Sequence, residues 1–470
     1  MVFSSIPFLF FFFPICLILY YLVPMKAKNY VLLLFSLVFY AWGEPVYILL
    51  MLFASFVDYV NGLLMTKYGT TKSRRRIFLL ISVGINLSML GFFKYADFVI
   101  HTINGITGMA ASPLNLALPI GISFFTFQTM SYSIDLYRRE VKVEKNYFTY
   151  LTYVSMFPQL IAGPIVRFAT VQEELHQRII DKKGFFEGFT RFLQGLFKKV
   201  LIANNMGALW ELIKATEYGE LSVATAWLGA LAFTLQLYFD FSAYSDMAIG
   251  MGQMLGFHYL ENFNYPLYAV SITDFWRRWH ISLSTWFRDY IYIPLGGNRV
   301  GVARHLRNIA VVWFLTGLWH GAAWNFILWG LYYGLLLALE KYVWGERLKK
   351  LPRLVQHLYA IIIVVFGFSI FVFDDMGQLT AYVGQMFYAS KSFLGSEFWY
   401  YLSSDGVLLV TALVLAMPVY PWFKKKIESL GGVNAKLVSV VCTVCYVVLF
   451  VLTVAYLVAD TYNPFLYFRF

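Results

Sequence analysis

The run "WFLTGLWHGAAWNFILWGLYYG", residues 313–334, decides how this chain is read, because it holds no formally charged residue and six glycines or alanines around a single histidine, His320. A helical crossing of a bilayer's hydrocarbon takes roughly 20 apolar residues. Runs of this kind recur from end to end with short polar breaks between them, about eleven by that measure. With 60% hydrophobic and 13% charged side chains in 470 residues and a mean hydropathy of +0.63, there is too little polar surface for a soluble globule. The expectation is an all-α, polytopic membrane protein.

The first run, "MVFSSIPFLFFFFPICLILYYLVP", has no basic flank and no small-residue cleavage site, so it reads as a first membrane helix rather than a signal peptide. Cys16, Cys442 and Cys445 all lie in apolar runs. The CxxC of "VCTVC" lacks the second pair or the histidines a metal site needs, so no metal is expected.

A net charge of +11 raises nucleic acid as a partner, but the basic residues sit at the ends of apolar runs. That is the pattern of the positive-inside rule. It assigns to the cytoplasm Lys26 and Lys28, Lys67 to Arg76, Arg138 to Lys145, Lys182 to Lys199, Arg277 to Arg307, Lys341 to Arg353 and Lys424 to Lys426. Residues 101–115 and the stretch from Asp374 then face outward. The alternation closes if residues 29–65 form two passes turning at "GEP" and if residues 148–166, with Pro158, Gly163 and Pro164, do not cross fully. Broken backbone at membrane depth survives only where protein buries it or where it lines a cavity. No repeat, linker or soluble domain is visible, so residues 1–470 read as one membrane domain with a catalytic core at about 117–340.

Polar chemistry concentrates between residues 231 and 334. Gln236, Asp240 and Tyr244 recur at i, i+4 and i+8 on an otherwise apolar helix. Asp246 lies about 240° from Asp240 around that helix, so the two acids do not pair. An intramembrane acid reads either as functional or as a packing residue held by an arginine or tyrosine. In "SITDFWRRWHISLSTWFRDYIYIPLGGNRVGVARHLRN", residues 271–308, Arg277, Arg278, Arg288, Arg299, Arg304 and Arg307 face only Asp274 and Asp289. Interleaved Trp276, Trp279 and Trp286 suit a helix lying in the membrane interface. They equally suit a phosphate pocket, since guanidinium forks bind phosphates and stack on rings. Two histidines, His280 and His320, are lodged in this core. Each reads as a packing residue or as a general base, and Gly317 and Gly321 beside His320 allow close backbone approach.

The segments "ISFFTFQTMSYSIDLYR", "FPQLIAGPIVRF", "YFDFSAYSDMAIG", "NFNYPLYAVSITDFWRRWHISLSTWFRDYIYIPLGGNR" and "GLWHGAAWNFILWG" resemble the membrane-bound O-acyltransferases, in the branch serving alginate and peptidoglycan O-acetylation. The likeness extends to the amino-terminal "MVFSSIPFLFFFFP". It implies a ring of about eleven transmembrane helices, with re-entrant and interfacial helices, around a central tunnel. It implies His320 as the catalytic histidine and His280 as the second one. Trp319, Asp240, Tyr244, Arg277, Arg278, Trp286, Arg288 and Asn325 become candidates for binding substrate. The implied donor is cytoplasmic acetyl-CoA, with no permanently bound cofactor. The implied partners are an extracytoplasmic acetyltransferase of the SGNH type, an exported or cell-wall polysaccharide as final acceptor, and membrane lipid, in a bacterial cytoplasmic (inner) membrane. Competing readings are an exporter of D-alanine to teichoic acid using a carrier-protein thioester, a lipid or protein acyltransferase of the same superfamily, and a proton-coupled transporter, which commonly shows repeated halves.

Overall fold

The structure, a computed structural model, describes residues 1–161, 163–388, 392–429, 432–459 and 466. Every regular element among them is an α, 3-10 or π helix, as the composition requires. Six helices among the described residues combine apolarity with the length to cross a membrane: Ile48–Tyr68, Lys72–Thr107, Trp324–Leu348, Arg353–Phe371, Ser396–Leu415 and Leu437–Ala459. Other runs suggested as passes form helices below that length or apolarity, among them Phe8–Leu22 and Ile122–Arg138. Several helices start at side chains that satisfy orphan amides. Thr71 accepts from Arg74 N, Asn146 from Phe148 N and Thr149 N, and Asp375 from Gln378 N.

The described chain groups into two compact units. One comprises Met1–Phe192 and Ser245–Glu261. Its helices Ile48–Tyr68, Lys72–Leu90 and Ile122–Arg138 meet at Asp58, which is fully buried. The Asp58 carboxylate accepts from Ser82, from Ser133 at 3.3 Å and from Asn86 Nδ2 at 2.7 Å, and Thr129 donates to Asn86 Oδ1 at 3.0 Å. A buried carboxylate costs several kcal/mol unless it is hydrogen-bonded in this way. Gly188 and Gly250 permit a close crossing, since a Cβ on Gly188 would stand 2.5 Å from Gly250 O. Beside it Arg191 bonds Asp246 at 2.8 Å and Glu261 at 2.5 Å, so Asp246 is a packing acid with an arginine partner.

The expected break falls in this unit. Helix Tyr147–Ser155 ends at Met156, a single turn Phe157–Leu160 follows, and the chain is extended by Arg167. Buried side chains take up its backbone groups. Phe157 N donates to Ser36 Oγ at 3.1 Å, Tyr153 OH to Val166 O at 3.1 Å and Gln159 Nε2 to Tyr153 O at 2.6 Å. This meets the condition for irregular backbone at membrane depth.

The second unit comprises Leu193–Tyr244 and, of its described residues, Asn262–Leu466. The 32-residue helix Val223–Met254, about 48 Å long, supplies its first 22 residues here. The run 313–334 proves not to be one crossing. Helix Val302–His320 stops at Gly321 (φ −167°, ψ 160°) and helix Trp324–Leu339 folds back along it. Small residues make the return possible. A Cβ on Gly317 would lie 2.3 Å from Phe326 O, and one on Gly330 would lie 2.3 Å from Trp313 O. His320 therefore occupies the tip of a helical hairpin.

Candidate active site

All of the site described here belongs to the second unit. His320, 3% exposed, is the last residue of its helix, and its ring packs edge-on against Trp329 (centroids 4.9 Å apart) and Phe371 (5.3 Å). The preceding residue, Trp319, lies 5.0 Å from the His320 ring and 5.8 Å from that of His280. The structure thus brings both candidate histidines within 6 Å of one indole. Trp276 braces the hairpin from outside, against Trp313 (4.6 Å), Trp329 (5.4 Å) and Tyr333 (4.9 Å).

His280, 1% exposed, sits between helices Ile272–Arg278 and Ile281–Phe287 at φ 45° and ψ 55°. A left-handed backbone at a residue with a Cβ costs of order 1–3 kcal/mol and persists only where the surroundings impose it. Here the segment around Asn262 imposes it. Ile281 N donates to Asn262 O at 2.9 Å and Asn264 N to Arg278 O at 2.9 Å. The Asn262 side chain then reads the imidazole. Its Oδ1 accepts from Ser282 N at 3.2 Å and Ser282 Oγ at 2.9 Å, and stands 3.1 Å from His280 Nδ1. The backbone amide of Ser282 can only donate, so that atom is the carbonyl oxygen and His280 Nδ1 carries the proton. Nε2 holds the lone pair of the neutral ring. Phe241 presents its edge to the same ring at 4.7 Å.

Asn325 belongs to this enclosure. It is fully buried and donates to Phe371 O at 2.9 Å, tethering the residue whose ring faces His320. Asp240, on the polar stripe read from the sequence, has a cation for a partner. It pairs with Lys199 at 2.7 Å, both side chains being under 5% exposed, and accepts from Leu466 N at 2.9 Å. Lys199 was assigned to a cytoplasmic basic cluster. Its partner instead draws it into the fold, because a buried acid needs a compensating cation more than the cluster needs another one. Tyr244 is buried one turn beyond Asp240.

The arginines divide. Arg278 is held by Asp274 at 2.9 Å and Arg288 by Asp289 at 2.7 Å, while Arg277, Arg299 and Arg304 are exposed. Trp286 is buried against Tyr290, 5.0 Å away, which is a packing position. His305 also packs, bridging Tyr292 (2.8 Å) and Tyr342 (2.5 Å).

Two supporting residues escaped the sequence reading. Asn262 opens the "NFNYP" segment that carries part of the family resemblance, but nothing in that segment singles it out as the partner of His280. Glu340 begins the π-helical turn Glu340–Trp344 and reaches back to the start of helix Ile272–Arg278. Its carboxylate accepts from Ile272 N at 2.6 Å, Thr273 N at 2.9 Å and Thr273 Oγ1 at 2.7 Å. An acid at the end of an apolar run, one residue before a lysine, looks like a membrane-flanking charge, and that disguised it.

Buried neutral imidazoles beside indoles, with one lone pair oriented by a fixed amide, suit proton transfer in a water-poor enclosure. Known proteins agree with an acyl-transfer setting. The model of the membrane-bound O-acyltransferase family matches residues 46–374. A probable alginate O-acetylase AlgI of Pseudomonas putida is 39% identical over the whole of both chains. A peptidoglycan O-acetyltransferase of Helicobacter pylori is 37% identical over 73% of this chain and 70% of its own. A teichoic acid D-alanyltransferase of Bacillus subtilis is 27% identical over 56% and 69%. The aromatic hairpin with its two histidines falls within the matched region, and this chain belongs to the membrane-bound O-acyltransferase family: it is a multi-pass membrane acyltransferase.

Proposed function

We propose that this chain takes acetyl from cytoplasmic acetyl-CoA and passes it across a bacterial inner membrane for O-acetylation of an exported or cell-wall polysaccharide, alginate or peptidoglycan. The observation that carries this reading is that the buried rings of His280 and His320 both pack against Trp319. The relatives named for alginate and peptidoglycan O-acetylation support the choice of acyl group and acceptor.

In this mechanism His320 is the general base. It takes the proton of the attacking hydroxyl, the oxygen bonds to the thioester carbonyl carbon, and the C–S bond breaks. The imidazolium returns its proton to the departing CoA thiolate, so the step balances without a metal or redox partner. His280, with its lone pair on Nε2, orients the enclosure together with Trp319 and Asn325. Exposed Arg277, Arg299 and Arg304 offer forks for the donor's phosphates. The attacking hydroxyl belongs to an extracytoplasmic partner of the SGNH type; a sugar hydroxyl then attacks the partner's acetyl ester, forming the sugar ester and releasing the partner's hydroxyl.

The test is thioester turnover by purified protein given labelled acetyl-CoA, with a D-alanyl carrier-protein thioester in parallel. His320→Ala is expected to lose about 10²–10⁴-fold in rate, the usual worth of a general base. Undiminished turnover in that variant sinks the assignment of His320. Turnover of only the D-alanyl donor moves the reading to teichoic acid, and no turnover of either favours a transporter.

A further inference from the structure

A cavity of about 200 Å³ opens in the first unit, lined among others by Lys26, Asn29, Tyr30, Phe148, Thr149 and Thr152. It has several times the roughly 30 Å³ that one water occupies in the liquid. Two buried cations adjoin the lining residue Asn29, Arg178 through a hydrogen bond and Lys28 as its neighbour in the chain. Arg178, 5% exposed, donates through Nη1 to Asn29 Oδ1 at 2.8 Å and through Nε to Tyr20 OH at 2.8 Å, while its Nη2 is buried without a hydrogen-bond partner. Lys28, 7% exposed, donates to Tyr20 O at 2.5 Å and lies 4.4 Å from the Tyr20 ring centroid. Among the described residues no carboxylate pairs with Arg178, Lys28 or the exposed Lys26. Glu144 approaches from the side and is taken by cavity-lining His176 at 2.8 Å and by Asn146 N at 2.9 Å.

Buried positive charge without a carboxylate is costly and calls for an anion. The lip of the cavity says where that anion comes from. Tyr30 and Phe148 are each 53% exposed, with ring centroids 6.1 Å apart, which is how aromatic residues stand at a headgroup level. Lys26 and Lys28 are among the residues that the positive-inside rule places in the cytoplasm. We infer that this cavity holds the phosphate of an anionic phospholipid of the cytoplasmic leaflet, paired with Lys26 and fixed by the field of Lys28 and Arg178. Basic pockets at the cytoplasmic side of membrane helices recognise headgroups by this chemistry. The inference stands apart from the transferase reading and needs no thioester chemistry.

Native mass spectrometry of the full chain, delipidated in detergent and offered equimolar phosphatidylglycerol and phosphatidylcholine, tests it. The wild type is expected to retain phosphatidylglycerol at least about fivefold over phosphatidylcholine, since even one cation near a headgroup is worth about a factor of five. Lys26→Glu, an exposed change that leaves the fold intact, is expected to lower that preference by about fivefold or more. Arg178→Gln, where it folds, is expected to do the same. Equal retention by the wild type, or an unchanged preference in Lys26→Glu, overturns the proposal. An excess of soluble CoA or glycerol 3-phosphate separates the sources: displacement of the lipid assigns the site to a soluble phosphate and overturns the lipid reading, whereas retention supports it.

Discussion

His280 donates its Nδ1 proton to Asn262 Oδ1 at 3.1 Å across eighteen residues of chain, and the same oxygen is fixed by the amide and hydroxyl of Ser282. The tautomer of the second histidine is thus set by Asn262. Replacing such an orienting partner typically costs 10–100-fold in activity. Asn262→Leu is expected to lower kcat by about that factor with KM little changed, because the imidazole remains but its lone pair is no longer held on Nε2. Asn262→Asp keeps the acceptor and is expected to recover part of the loss. Steady-state kinetics on the purified variants decide it, and a Leu variant with unaltered kcat removes Asn262 from the site.

The hairpin that carries His320 closes over two glycines. A Cβ on Gly317 meets Phe326 O at 2.3 Å and one on Gly330 meets Trp313 O at 2.3 Å. Both obstacles are backbone, so neither can swing aside. Gly317→Ala and Gly330→Ala are each expected to cost about 1–3 kcal/mol, read as a lower thermal midpoint in detergent. Gly301, with open space around its would-be Cβ, is the control. Equal melting of all three variants contradicts the close crossing.

Lys199 and Asp240 form a pair that water hardly reaches. Removing one member strands the other charge, which costs about 3–5 kcal/mol. Lys199→Met is therefore expected to express poorly or melt early, and Lys199→Met with Asp240→Leu to recover much of that loss. If Asp240 were instead needed as a proton carrier, the double variant would regain stability without regaining turnover. Melting curves and turnover measured on the same samples separate the two outcomes.

These cases show which contacts a sequence reveals. His320 stands out in the sequence because Gly317 and Gly321 flank it in an uncharged run, while Trp319 and Asn325 are named only through the family resemblance. The break at Pro158 and Pro164 was legible for the same local reason. The His280–Asn262 bond and the Lys199–Asp240 pair join residues eighteen and forty-one positions apart, and no periodicity encodes such a meeting. Charge alternation assigns a side of the membrane and says nothing of burial: Lys28 and Lys199 belong to its cytoplasmic clusters, and both are under a tenth exposed. The apolar run 313–334 misled by length, since a hairpin tip built of glycine and alanine is as uncharged as a single crossing.

Glu340 offers the last test, because it acts at a distance on the same loop. Its carboxylate takes the first two amides of helix Ile272–Arg278 and the Thr273 hydroxyl, and Tyr359 OH donates to it at 3.2 Å. That seven-residue helix is too short to hold itself, and it leads through Trp279 into the left-handed turn at His280. Its anchoring by an anion at the amino-terminal end uses both hydrogen bonds and the helix dipole. Glu340→Ala leaves two buried donors unmade and is expected to cost about 1–3 kcal/mol. Glu340→Gln keeps an acceptor without the charge and is expected to lose less. If the helix positions His280, turnover falls further than the fraction of folded protein does, and Gln rescues kcat relative to Ala. Parallel losses of folded protein and activity in both variants would instead make Glu340 a stabilising cap with no hold on the site.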